Sequence, residues 1–213
     1  MALLPSPPSS CTPPFGVVVR GPHDPGRDVL EAVVSEVYSH LHGARITHFL
    51  PLLVGLVDGD GVTTGVIGAR LLDTRQPAFL EAYLDAPIEA VLGRALGAPV
   101  AREGLVEVGN LAARTAGGGR ALVGVLGERL HALGREWAVF TSTDVLRRLF
   151  ARLGVALVDL GPADGTRLGP ALADWGRYYE RAPRVSAARI GEVAHAARAA
   201  RAAARRAAPR RVG

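Results

Sequence analysis

The sequence predicts an α/β (α+β) domain in which a mixed sheet is flanked by helices. Apolar spacing switches between the helical and the strand period along the chain. Upstream, two apolar runs flank the repeat Asp58-Gly59-Asp60-Gly61. Downstream of Leu105, strand and helix patterns alternate as β-α-β-α-β, an order that implies a partly parallel sheet covered by helices.

Residues 1–15, MALLPSPPSSCTPPF, are proline-rich and read as a disordered, polyproline-leaning leader. They have neither a basic start nor a sustained apolar run, so they do not read as a secretory signal. Gly26–His42 reads as a helix, because Leu30, Val33, Val34, Val37, Tyr38 and Leu41 recur at three- and four-residue steps before Gly43. His48–Val57 and Val62–Leu72 read as a hairpin, since glycine accepts the positive φ of tight turns. Phe79–Leu96 returns to helical spacing, with Pro87 kinking or restarting it. Leu105–Ala112, Trp137–Thr141 and Val155–Leu160 read as strands, with helices at Gly118–Leu133 and Thr143–Leu153 between them. The predicted organisation is a leader at 1–15, one domain at 16–186 and an Ala/Arg-rich basic tail at 187–213 of high helix propensity.

A chain of 213 residues with 48% apolar content suffices for one well-cored domain and is short for two. Lysine is absent and all 25 cations are arginine. Seven of these arginines lie beyond residue 186, so the rest of the chain is nearly neutral and has no nucleic-acid footprint. The tail offers at most a weak contact to an anionic membrane surface. Phe49–Val57, the longest strongly apolar run, falls far short of the roughly 20 residues a spanning helix requires. The chain therefore reads as soluble and cytoplasmic. Six histidines and one cysteine, Cys11, form no metal-ligand spacing, and no metal is expected. No G-x-S-x-G or similar nucleophile motif is present.

The segment LVEVGNLAARTAGGGRAL, Leu105–Leu122, carries the chemistry. A strand runs into Arg114-Thr115-Ala116-Gly117-Gly118-Gly119 and then opens a helix at Arg120. Backbone N–H groups at a helix start lack intrahelical partners and face the positive end of the dipole, so they attract anions. Glycines let the backbone approach a pyrophosphate, and Arg114 or Arg120 would add charge. A plain flexible connection is the alternative.

The R-x-x-G-x-G pattern at Arg114, Gly117 and Gly119 resembles the donor-phosphate signature of the GCN5-related N-acetyltransferases. That resemblance implies a fold whose loop holds the pyrophosphate of coenzyme A, with the pantetheine arm between two splaying strands. A closer likeness covers about residues 26–186. GARITHFLPLL, FLEAYLDAPIEAVL, VEVGNLA, GGGRAL, WAVFTSTDVLRRLFARLG and DWGRYYERAPRV look like successive blocks of the bacterial thermostable hemolysin family. A more distant likeness is to acyl-homoserine-lactone synthases, through Gly68–Thr74 (GARLLDT) and Glu107 on the following strand. Their glutamate precedes a serine–arginine pair, whereas Gly109 and Asn110 follow here, so the likeness implies acyl transfer and not that particular product.

These resemblances imply an acyltransferase that moves an acyl group from an acyl-CoA or acyl-carrier-protein thioester to a small amine acceptor. Glu107 is the candidate catalytic base, because a carboxylate half-buried in an apolar strand is held towards its neutral form. Pairing with Arg70 is the structural alternative. Gly117, Gly118, Gly119, Arg114 and Arg120 are candidates for the donor phosphate. Arg70, Asn110 and Thr141 are candidates for substrate contact, with a β-bulge at Asn110 and capping beside Thr141 as alternatives. Two other functions stay open: a non-enzymatic membrane-damaging hemolysin, and a catalytically inactive ligand-binding member of the fold.

Overall fold

A computed structural model describes residues 16–73 and 76–207; the leader at 1–15 lies outside the described residues. Seven strands form one sheet in the order β1-β2-β3-β4-β5-β7-β6. β1 (Gly16–Arg20), β2 (Leu52–Val57), β3 (Thr63–Leu71) and β4 (Leu105–Ala113) are successive antiparallel neighbours. β4 and β5 (Trp137–Ser142) are parallel, and β7 (Arg184–Arg189) runs antiparallel between β5 and β6 (Val158–Pro162). The expected hairpin is β2–β3. Asp58 closes its turn by accepting the N–H groups of Asp60 and Val62, and Gly61 takes φ 82°.

Helices cover both faces. α1 (Arg27–His42) and α2 (Ile88–Leu96) lie on one; α3 (Gly118–Ala132), α4 (Asp144–Leu153) and α5 (Ile190–Ala207) lie on the other. The strand period explains the division: Leu105 of β4 joins the core under α2, and Val106 joins the core under α3. Leu30, Val33 and Val34 bury the stripe of α1, and Leu41 at its end is exposed.

Three features differ from the local sequence pattern. Phe79–Leu96 is not one helix: a 3₁₀ turn at Phe79–Tyr83 is separated from α2. The Glu81 carboxylate causes the break, accepting the N–H of Ala78 at 2.7 Å and that of Ile88 at 2.8 Å, and Pro87 then restarts the helix. Secondly, β6 begins at Val158 rather than Val155 and pairs with β7, so parallel pairing is confined to β4–β5. Thirdly, the step from 186 to 187 falls inside β7, and the chain continues into α5. Ile190, Val193 and Ala194 of α5 are buried, and Arg201 pairs with Glu128 of α3.

Candidate functional site

β4 and β5 pair only through Leu105↔Trp137, Val106↔Ala138 and Glu107↔Val139. Above Glu107 they part. β5 stays with β7 up to Ser142, while β4 stays with β3 up to Ala113. The β3–β4 register shifts there: Gly68 faces Gly109 and Val66 faces Ala112, leaving Ile67 opposite two residues, Asn110 and Leu111. This β-bulge puts Asn110 in the left-handed region at φ 49°, which few non-glycine residues adopt. Its Oδ1 accepts the Leu50 N–H at 2.8 Å, and its Nδ2 donates to the His48 carbonyl at 3.5 Å. The Asn110 amide thus fastens the chain before β2 to the bulge.

A cavity of about 1290 Å³ opens where the strands part. Arg70, Glu107, Asn110, Gly117, Gly119, Arg120 and Thr141 all line it. The fold therefore brings together seven of the nine residues singled out from sequence. Arg114 and Gly118 are not in the lining.

Glu107 sits at the base of the gap and is 3% exposed. Its Oε1 accepts the Leu80 N–H at 2.9 Å, from the 3₁₀ turn below it. Arg70 lies directly across on β3, with its Nε 3.8 Å from Glu107 Oε2. Neither of these two atoms has a hydrogen-bond partner among the described residues. Burial raises the Glu107 pKa above the usual carboxylate range, against the opposing pull of the Leu80 N–H and Arg70. The Arg70–Glu107 proximity was legible from sequence. The Leu80 contact was not, because Leu80 lies in a 3₁₀ turn outside the sheet, where strand pairing fixes no partner.

At the upper end of the gap Gly117 has φ 81°, which a side chain would strain, and α3 begins at Gly118. The Gly118 N–H donates to the Thr115 carbonyl, and the intrahelical ladder starts with Ala121 N–H to Gly117 O. The N–H groups of Gly119 and Arg120 precede that ladder, beside the cavity. A Cβ built on Gly119 would meet nothing within 4 Å. Arg114 turns away, donating to the Thr63 carbonyl at 3.0 Å and pairing with Glu36 of α1. In this position it ties the loop to the hairpin instead of offering the loop a free charge.

Thr141 Oγ1 lies 3.1 Å from the Tyr178 hydroxyl. Thr143 occupies the start of α4, although its side chain makes no capping bond. The Arg147 guanidinium donates to the Ser142 carbonyl, and Arg148 pairs with Asp144. The aromatic wall on the α1 face was the least legible part. Tyr178 contacts the rings of Tyr38, His42, Trp175 and Tyr179, and Trp175 also meets Phe79. Burial lowers the His42 pKa, as do Arg181 and Arg177 nearby. Burial raises that of Tyr178, so its hydroxyl keeps its proton. These rings come from three separate segments without a shared period, so only the fold unites them. Among the described residues, no group of three or more His, Cys, Asp or Glu is placed to hold a metal, and no helix is long and apolar enough to cross a membrane.

A mixed sheet with helices on both faces, splayed at β4–β5 above a glycine-rich helix start, is a GCN5-related N-acetyltransferase-like fold. Solved structures share it. TofI, in a ternary complex with an inhibitor and MTA, has a TM-score of 0.56 and 18% identity, covering 85% of this chain and 95% of its own. FeeM, an N-acyl amino acid synthase from uncultured soil microbes, has a TM-score of 0.56 and 15% identity, covering 84% and 93%. BjaI, a CoA-dependent acyl-homoserine lactone synthase with SAM and isopentyl-CoA, has a TM-score of 0.57 and 13% identity, covering 86% and 87%. No curated protein matches the chain significantly. The chain belongs to the thermostable hemolysin family, whose family model matches residues 20–194.

Proposed function

We propose that this protein is an acyltransferase that moves an acyl group from a coenzyme A or acyl-carrier-protein thioester to a small amine. The observation that carries this reading is the buried Glu107 at the point where β4 and β5 part, with one carboxylate oxygen lacking a hydrogen bond. The amine nitrogen attacks the thioester carbonyl carbon, forming the C–N bond and a tetrahedral oxyanion that collapses as the C–S bond breaks. Glu107 takes the proton from the attacking nitrogen, and the departing thiolate is protonated to a thiol. A raised carboxyl pKa suits this transfer, since a base works best when its pKa lies near the working pH. Backbone N–H groups of β4 beyond its pairing with β5 would stabilise the oxyanion. The N–H groups of Gly119 and Arg120 would hold the donor phosphate at the start of α3.

The structural neighbours support the general chemistry: FeeM is described as an N-acyl amino acid synthase, and BjaI as CoA-dependent. An amphiphilic acylated product would account for lysis as an activity of the family without a pore.

Gly119→Glu tests the donor site. A carboxylate in the first turn suits the helix dipole, so the unliganded melting temperature should stay the same or rise slightly. It also occupies the phosphate position, so the thermal shift given by coenzyme A should shrink at least tenfold. An undiminished shift would remove the loop from the donor site.

A further inference from the structure

The cavity has two arms, one on each face of the sheet, joined through the gap above Glu107. The arm on the α1 face has polar and aromatic walls, including His42, Phe79 and Tyr178. The arm on the α3 face is walled by Leu126, Leu130, Phe140, Phe150 and Ile190, each at most 4% exposed, together with Ala138. Protein interiors are close-packed, and empty apolar space among core side chains lowers stability. Ala138 marks the opening clearly. β5 is an interior strand, and Trp137 and Val139 on either side of Ala138 are buried, yet Ala138 keeps accessible surface towards this arm.

We propose that the α3-face arm binds the acyl chain of the donor, and that it is sized for a medium chain of about eight carbons rather than for acetyl. This rests on the acyltransferase reading and names its substrate class. Length follows from the helix that walls the arm. Val123, Leu126, Gly127 and Leu130 of α3 line the cavity. From Val123 to Leu130 a helix rises about 10 Å, at roughly 1.5 Å per residue. With C–C bonds of about 1.5 Å, an extended alkyl chain advances about 1.25 Å per carbon, so about eight carbons fill that length. The six wall residues named are all apolar, so that wall makes no hydrogen bond to a charged or hydroxylated tail. Ala138 stands at the base of β5, one step below the level of Glu107, and its small side chain leaves the floor open.

The test is calorimetric titration of the full chain with coenzyme A, acetyl-CoA, octanoyl-CoA, hexadecanoyl-CoA and free octanoate. Each buried methylene should tighten binding about fourfold, so octanoyl-CoA should exceed acetyl-CoA by at least 100-fold, and hexadecanoyl-CoA should fall back. Ala138→Phe should erase the octanoyl preference while leaving coenzyme A itself unchanged. Leu149→Trp, on α4 in the lining of the same cavity, should do the same if Ala138→Phe fails to fold. Equal affinity for acetyl- and octanoyl-CoA would overturn the proposal, as would an octanoyl preference that survives both substitutions. Should octanoate bind in an Ala138-sensitive way while no coenzyme A species binds, the arm stands and the coenzyme A donor reading falls.

Discussion

Two neighbouring regions hold the same kinds of charge in opposite states. Around Arg102 every partner is satisfied: its guanidinium donates to Glu81 and Glu89 and to the carbonyls of Asp73 and Gln76. Next to it, Arg70 and Glu107 face one another across β3–β4 at 3.8 Å, and each keeps an atom without a hydrogen bond. The pKa values diverge accordingly. Burial pushes the Glu81 carboxyl up, but Arg102 and the N–H groups of Ile88 and Ala78 outweigh it and hold the group low. For Glu107, burial wins. The Arg102 cluster fixes the 3₁₀ turn whose Leu80 N–H then orients Glu107. One region has its charges fully paired, and the other leaves a carboxylate oxygen and a guanidinium nitrogen without hydrogen bonds.

The largest expected effect separates the two regions. Glu107→Gln should lower the single-turnover acylation rate by about 10²- to 10⁴-fold, the usual worth of a general base, with the fold intact by circular dichroism. Arg102→Met should do the reverse. It leaves Glu81, whose side chain is 12% exposed, without its cation, and should cost about 2–3 kcal/mol in urea unfolding. If Arg102→Met instead left stability unchanged, the cluster would not be holding the turn.

A pH series sharpens the contrast. Glu107 has a folded pKa above its unfolded one. Its contribution to stability is therefore full below the ordinary carboxylate value, about 4.3, and is lost as pH rises through the raised value. Glu107→Gln should therefore melt higher than the parent at pH 8, with the gain closing by pH 4. Glu81 has the opposite sign: its contribution is present above the ordinary value and is lost as pH falls through the depressed one. Glu81→Gln should cost stability at pH 7, and that cost should shrink as pH falls through the depressed value. A parallel pH dependence for the two variants would refute the contrast. The smallest effect lies at the bulge. Asn110→Ala removes the bond to Leu50 and should cost about 1 kcal/mol. Asn110→Gly should cost less, since glycine tolerates φ 49°.

Most of the sheet and the elements around the loop were legible in the sequence because they rest on local period. β4, α3, α4 and the β2–β3 hairpin appear within a few residues of where apolar spacing places them. β7 escaped because RVSAAR is short and mixed, and its Ser186 is buried by bonding to Ser142 of β5. Its place between β5 and β6 is a pairing between distant segments, which no local window contains. The site divides in the same way. The glycine loop and Glu107 stand out in one stretch of sequence, and Arg70 follows from the pairing of the next strand. The cavity, its aromatic wall and the role of Arg114 depend on chain crossings 37 to 78 residues apart.

The three register pairs between β4 and β5 make the sheet, mechanically, two plates pinned at one end. One plate has the four strands β1 to β4, and the other has β5, β7 and β6. Prising the free ends further apart would break almost no backbone hydrogen bonds, so the sheet itself hardly resists widening. Resistance comes from contacts that bridge the plates: the ring cluster of Tyr178 with Tyr38 and His42 on the α1 face, and a helix pair on the other. α3 follows the first plate and α5 the second, and they meet so closely that a Cβ at Gly127 would lie 2.6 Å from Val193, and one at Gly124 would lie 3.0 Å from Ala197. Close packing at these two glycines thus helps to hold the aperture, and a bulkier residue at either would push α3 and α5 apart and the plates towards a new spacing.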